Sequence, residues 1–280
     1  MAGTPREGTM RLGVMCFYNP RLMFLKYQPL VDYLSVQTGT KWELSLSMSY
    51  DRTVEALCAG EIDVAYLGPF SYVRAHERCG AVPVLHLMTH GKDTYQGFIM
   101  VRSDSPVRSL SELRGKHVAF GAPLSTGSYL AAAEMLERAG LRLGQDVGCH
   151  FYGQHERAVR AVLLGEVDAC AVRDIVGEKF VPRGMRILAT SQPLPNFPLV
   201  IAPSGMPDLQ DALVRALVVV PRTSEAASKA IAAWDDELAG GFALAVDAEF
   251  EPIRQLATRV FGPLALTAPE TELVCGGGGR

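Results

Sequence analysis

The sequence predicts an α/β protein of two lobes, each an open, mostly parallel sheet flanked by helices and joined by two hinge segments. Three features carry that expectation. The order β-α-β-α-β is followed by a second copy of itself, which argues for parallel sheets. Arg52-x-Val54-x-Ala56 with Gly60-Glu61-Ile62-Asp63-Val64 reappears as Arg157-x-Val159-x-Ala161 with Gly165-Glu166-Val167-Asp168-Ala169, every pair offset by 105 positions without a gap. The chain, at 280 residues, is also long for one core.

The elements follow in order. Residues 10–17 are an apolar strand that ends at the turn Tyr18-Asn19-Pro20. Residues 24–37 carry an amphipathic stripe of Leu25, Leu30, Val31, Tyr33 and Leu34, and Gly39 stops that helix. Trp42, Leu44, Leu46 and Met48 alternate as a second strand. A short helix over 51–59, closed by Gly60, leads to a third strand over 62–67. The repeated Gly-Glu-Ile/Val-Asp run suits a left-handed helix stop and a tight turn into a strand. It also places Tyr50 opposite His155, each just before a helix start.

Residues 94–101 read as a strand leading out of the first lobe, with 103–106 as the crossing and 193–198 as the crossing back. Helical patterns over 209–219, 224–238 and 251–260 are expected to complete the first lobe. The expected division is therefore 10–102 plus 195–270 for lobe 1, 103–194 for lobe 2, and a flexible tail over 271–280.

Composition narrows the function. Hydrophobic residues make up 48% and charged residues 20%, as in an ordinary globular protein, and a net charge of −3 without any basic run gives no nucleic-acid footprint. No apolar stretch is long enough to span a bilayer, and the first residues lack the apolar core of a secretory signal. The six cysteines show no Cys-x-x-Cys; Cys58, Cys149 and Cys170 lie in apolar runs and read as packing residues, with disulfide pairing open. Cys16 lies near a first-lobe loop, and a part for it in binding stays open. His86 and His90 flank a strand end and read as non-metal, and neither a metal site nor a cofactor is expected.

The chemistry concentrates in residues 116–136: a short strand, a Gly/Pro turn, then Ser125-Thr126-Gly127-Ser128 at a helix start. A helix start offers unpaired N–H groups and the positive end of the dipole, and so suits an anion. One hydroxyl is explained as a cap; three in four positions exceed that need. In open α/β sheets ligands sit beyond the carboxyl ends of the strands, where Tyr18, Tyr50, the hydroxyl cluster and His155 all fall.

These residues resemble the phosphate/phosphite/phosphonate-binding proteins of ABC importers, the PhnD-like group of type II periplasmic binding proteins. The resemblance rests on Tyr27-Gln28-Pro29-Leu30-Val31-Asp32-Tyr33-Leu34, Ala65-Tyr66-Leu67-Gly68-Pro69-Phe70-Ser71-Tyr72-Val73, Tyr95-Gln96-Gly97, Leu110-Ser111-Glu112-Leu113-Arg114-Gly115-Lys116 and the hydroxyl cluster. It implies a type II periplasmic-binding-protein fold. It further implies a phosphoryl-type oxyanion held by Ser125, Thr126, Gly127, Ser128 and His155, with Tyr18, Tyr50 and Tyr95 as first-lobe contacts. A membrane permease as partner, a monomeric receptor and an extracytoplasmic location come with it.

Two departures from the family pattern bear on the ligand. The family usually reads Ser-Thr-Ser-Gly, so the order here leaves open which hydroxyl faces the ligand. After Ala171-Val172, where an acidic residue suits a substrate amine, Arg173 precedes Asp174. Arg173 either enters the cleft and favours a bare oxyanion or a second anionic group, or it pairs with a surface carboxylate or bridges the lobes. No catalytic residue is assigned; the alternatives are a ligand-sensing domain of a signalling system, or a small-acid enzyme using His155 or Asp174 on the same fold.

Overall fold

The computed structural model describes residues 8–15, 17–47, 49–202 and 207–275; Cys16, Met48 and the segment 276–280 lie outside them. The strands in the first half are β1 Thr9–Met15, β2 Lys41–Ser47, β3 Val64–Tyr66, β4 Val82–Leu87, β5 Thr94–Tyr95 and β6 Gly97–Arg102. Those in the second half are β7 His117–Phe120, β8 Gly148–Phe151, β9 Ala169–Arg173, β10 Met185–Thr190, β11 Leu194–Pro195, β12 Pro198–Ile201 and β13 Phe242–Leu244. The helices that position the site are α1 Pro20–Thr38, α2 Tyr50–Cys58, α3 Pro69–Cys79, α4 Ala131–Arg138 and α5 His155–Leu163.

The chain forms two compact units, one of Met1–Thr94 with Pro195–Glu251 and one of Tyr95–Leu194 with Pro252–Arg280. The first holds a six-stranded sheet in the order β13-β4-β12-β3-β1-β2, with β2, β1 and β3 parallel and β12 antiparallel to both β3 and β4. The second holds a five-stranded sheet in the order β10-β6-β9-β7-β8, with β8, β7 and β9 parallel and β6 antiparallel to both β9 and β10. Each sheet thus inserts one antiparallel strand between others, and that strand follows a segment arriving from the other unit; β13 adds a further antiparallel strand at the edge of the first sheet. β5 and β11, at these two crossings, pair as a separate two-stranded ribbon.

The internal repeat is realised in the coordinates. α2 and α5 are both nine residues long and start at Tyr50 and His155, and each precedes the third parallel strand of its sheet. Local chemistry explains the helix ends. Asn19 caps α1 by accepting the Leu22 N–H at 3.0 Å, Pro20 fills the first position, and Gly39 closes the helix at φ 68°. Ser49 caps α2 through the Arg52 N–H. In the second unit Ile99, Val101, Val118, Phe120, Leu136 and Ala169 form the buried core between sheet and helices.

The structure corrects the expected boundaries in three places. The segment 94–101 is not a first-lobe strand: β6 pairs from Gly97 with Arg173 to Val101 with Ala169, so the chain crosses at Thr94/Tyr95 and not at 103–106. Tyr95 consequently belongs to the second unit. The helix Glu251–Phe261 was expected in the first lobe, yet residues from Pro252 on pack with the second: Phe261 stacks on Tyr129 at 5.1 Å and Arg259 pairs with Glu134 at 2.5 Å. Residues 271–275 are not a loose tail, since Tyr129 donates its hydroxyl to the Leu273 carbonyl at 2.7 Å and Cys275 is disulfide-bonded to Cys149.

A second disulfide joins Cys58 to Cys79, at the ends of α2 and α3. Cys58 and Cys149 are therefore cross-links and not plain packing residues. An apolar run hides such pairing because a half-cystine is buried as readily as a thiol. Cys170 is the free cysteine among the described residues; burial pushes its thiol up and keeps it protonated.

Candidate functional site

The second unit gathers its polar groups at the carboxyl ends of β7, β8 and β9. After β7 the chain turns through Gly121–Ser125 and enters a π-helical turn, Thr126–Leu130, before α4 begins. The Ser125 carbonyl accepts both the Tyr129 N–H at 3.0 Å and the Leu130 N–H at 3.1 Å, which widens the first turn. A π-turn of this kind opens helix geometry locally and is found often at functional sites. Ser125 is also the cap, its hydroxyl accepting the Ser128 N–H at 3.3 Å.

The three hydroxyls separate into different roles. Ser128 is fully buried, donates to the Ala171 carbonyl at 2.6 Å and accepts the Gly121 N–H at 2.8 Å. Its single hydrogen is committed to that carbonyl, so it fastens the loop to β9. Ser125 lies 3.3 Å from His155 Nε2. Thr126 is buried, and Gly127 beside it lies against the Tyr95 ring and hydroxyl.

His155 is 3% exposed and opens α5. The Arg173 N–H donates to its Nδ1 at 3.2 Å. That bond fixes the tautomer: Nδ1 accepts, so the proton of the neutral ring sits on Nε2 and points to the Ser125 side. Burial, reinforced by the Arg173 charge, pushes the imidazole down to about 3. The ring is thus a neutral N–H donor at ordinary pH.

Arg173 ends β9 and is 3% exposed, with its guanidinium over the Tyr95 ring at 5.0 Å from the centroid. Of the two readings of this residue, pairing with an exposed surface carboxylate does not fit that burial. Burial pushes the Tyr95 hydroxyl above its usual range, so it too stays a protonated donor. Asp174 is occupied: its Oδ2 accepts the Gln96 N–H at 2.7 Å and its Oδ1 accepts the Ile175 N–H at 2.8 Å. Those bonds tie β6 to β9 and make Asp174 a fastening for the Tyr95–Gly97 segment.

Two close approaches require glycine. A Cβ on Gly97 would stand 2.3 Å from the Gly127 carbonyl oxygen, backbone against backbone, and one on Gly121 would stand 2.8 Å from His155 Cδ2. The hydroxyl loop can lie on β6, and the imidazole beside it, only because both side chains are absent.

The first unit presents an aromatic cluster at the corresponding strand ends. Tyr18 follows β1 and Tyr50 opens α2, and each is 4% exposed. Phe17 packs edge-on against Tyr50 at 5.8 Å and Phe197 at 5.4 Å, and Tyr66 stacks on Phe197 at 5.4 Å. Lys26 of α1 lies over the Tyr18 ring at 4.8 Å and pairs with Asp235, while Tyr66 donates to the buried Glu237 at 3.3 Å. Sequence reasoning missed Phe17, Lys26, Tyr66, Phe197 and Glu237. Tyr66 and Phe197 stood in stretches already singled out, but the pairing of Lys26 with Asp235, 209 positions away, left no local signal.

A repeated α/β unit with one antiparallel strand inserted in each sheet, and donor groups at the strand ends, defines a type II periplasmic binding protein. Solved structures show the same fold. The binding protein component of an ABC phosphonate transporter from Pseudomonas aeruginosa superposes with a TM-score of 0.81 at 19% identity, covering 94% of this chain and 90% of that one. PhnD1 from Prochlorococcus marinus, solved with methylphosphonate, gives 0.80 at 16% identity over 91% and 99%. Residues 12–250 match the family of periplasmic substrate-binding proteins of phosphonate ABC transporters, and the chain belongs to that family. The phosphate-import protein PhnD of Mycolicibacterium smegmatis is 29% identical over 190 residues, 63% of this chain; the chain spans about three fifths, 59%, of that relative's length.

Proposed function

We propose that this protein is the solute-binding component of an ABC importer and captures a phosphate-, phosphite- or phosphonate-type oxyanion by hinge closure. The observation that carries the reading is the tautomer lock on His155, which turns a histidine into a neutral Nε2–H donor beside Ser125. Ser125, Thr126, the Gly127 backbone and His155 offer donors to the phosphoryl oxygens, and Arg173 supplies the countercharge. Tyr95 adds a protonated hydroxyl in the second unit, and Tyr18 and Tyr50 are the contacts we propose from the first. Ligand then favours closure because only the closed form makes every contact.

The donor set suits holding an anion more than transforming one. A histidine held near 3 is a poor general base at neutral pH, and both Asp174 oxygens already accept backbone N–H groups. Arg173, as a buried cation, favours bare oxyanions over aminophosphonates, whose ammonium it would repel. The relatives named for phosphate import and solved with methylphosphonate support that class. Two disulfides accord with an oxidising extracytoplasmic compartment, from which the protein would deliver its ligand to a membrane permease.

The test is a thermal-shift titration with phosphate, phosphite, methylphosphonate and 2-aminoethylphosphonate, repeated on Ser125→Ala. Ligand at a hundred times its dissociation constant should stabilise the protein by about 2.7 kcal/mol. Losing one charge-assisted donor of about 1.5–3 kcal/mol should weaken binding about 10- to 150-fold. No shift with any of the four would rule out the oxyanion receptor.

A further inference from the structure

Away from the hydroxyl loop, two histidines meet on the last two strands at one edge of the second sheet. His117 is the first residue of β7, at the opposite end of that strand from the loop, and His150 lies on β8, the edge strand. The parallel register sets His117 against Gly148 and Ala119 against His150, so both side chains leave the same face. His117 Nδ1 and His150 Nε2 are 2.8 Å apart, and both residues are exposed.

We propose that His117 and His150 form a two-imidazole surface site for a late first-row divalent metal ion, Cu²⁺ above Ni²⁺ and Zn²⁺, with water in the remaining positions. Two nitrogens each about 2.0–2.1 Å from one metal, at angles between square and tetrahedral, stand about 2.8–3.4 Å from each other. The observed separation falls at the near end of that window. The rings are tilted by 46° to one another, and both side chains are exposed, so their rotation is free to turn the two lone pairs to a common point. The ring that now donates in the imidazole pair moves its proton to its solvent-facing nitrogen, leaving two free lone pairs and no net change in protonation.

The surroundings hold the pair in place. A Cβ at position 148 would stand 2.2 Å from His117 Nδ1, so the glycine leaves the space that ring occupies. Asp168 fixes the backbone by accepting the His117 N–H at 2.9 Å. Imidazole nitrogens select borderline metals over Mg²⁺ and Ca²⁺, which prefer oxygen, and the divalent order places Cu²⁺ first.

The experiment is Cu²⁺ titration of the full chain in phosphate-free buffer, followed by electron paramagnetic resonance and calorimetry, on the parent protein, His117→Ala, His150→Ala and His90→Ala. The parent and His90→Ala should show equatorial coordination by two imidazole nitrogens. Each of the other two variants should lose that signature. Their affinity should fall at least about tenfold, because loss of an outer-shell partner alone costs about 10–100-fold. Far-UV thermal melts and oxyanion binding should be unchanged in both, since the site is separate from the hydroxyl loop. Binding of equal strength and identical spectra in the parent, His117→Ala and His150→Ala would overturn the proposal, as would a parent spectrum without two nitrogen donors.

Discussion

His155 gives the protein a specific sensitivity to acid. Its folded-state imidazole is held down at about 3 by burial and the Arg173 charge, against an ordinary value of about 6.5 in the unfolded chain. Below about pH 6.5 the unfolded chain binds a proton that the folded chain does not. The stability this residue contributes is therefore present above that pH and lost as pH falls toward 3. Each pH unit in that window costs about 1.4 kcal/mol, so going from pH 7 to pH 5 should remove about 2 kcal/mol through this one group. Urea unfolding in phosphate-free buffer at the two pH values, on the parent and on His155→Gln, measures the effect. The glutamine keeps an N–H donor but does not titrate, so its loss between pH 7 and pH 5 should be smaller by about 2 kcal/mol. Equal losses in the two proteins would refute the burial of a neutral imidazole. A ring resonance that titrates near pH 6.5 in the ligand-free protein would refute it equally.

The remaining predictions concern neighbouring contacts and the cross-links. Arg173→Met should lower phosphate and methylphosphonate affinity by about 10- to 150-fold, the worth of a charged partner, and narrow their advantage over 2-aminoethylphosphonate; calorimetric titration of all three ligands checks both effects. Gly97→Ala places a Cβ 2.3 Å from a backbone oxygen of the hydroxyl loop, so the loop must shift. Overpacking of this kind costs about 1–3 kcal/mol and should weaken oxyanion binding along with stability, which chemical unfolding and calorimetry would separate. Loop-entropy arithmetic gives about 5 kcal/mol for the Cys149–Cys275 bond, which spans 126 residues, and about 3 kcal/mol for Cys58–Cys79, which spans 21. Paired Ser replacements should rank in that order by urea midpoint.

The sequence by itself determined the parts of this protein whose physics is local. The β-α-β order, the ungapped repeat that makes α2 and α5 equivalents, and the hydroxyl cluster at a helix start all depend on residues a few positions apart. So did the membership of Ser125, Thr126 and His155 in a polar cluster, since each follows a parallel strand.

Tertiary structure decided which strand joins which sheet, and with it the side on which Tyr95 stands. A strand that crosses between units has the same alternation in either sheet, and only its partners distinguish the two placements. The same holds for the hydroxyls: Ser125 and Ser128 have identical chemistry, and Ser128 became a fastening only because the Ala171 carbonyl, 43 positions away, accepts its hydrogen bond. The His155 tautomer depended on the Arg173 N–H, and the binding of residues 271–275 into the second unit depended on Cys149 and Tyr129. Each of these is a pairing between distant positions, and sequence spacing carries no information about which distant donor reaches which acceptor.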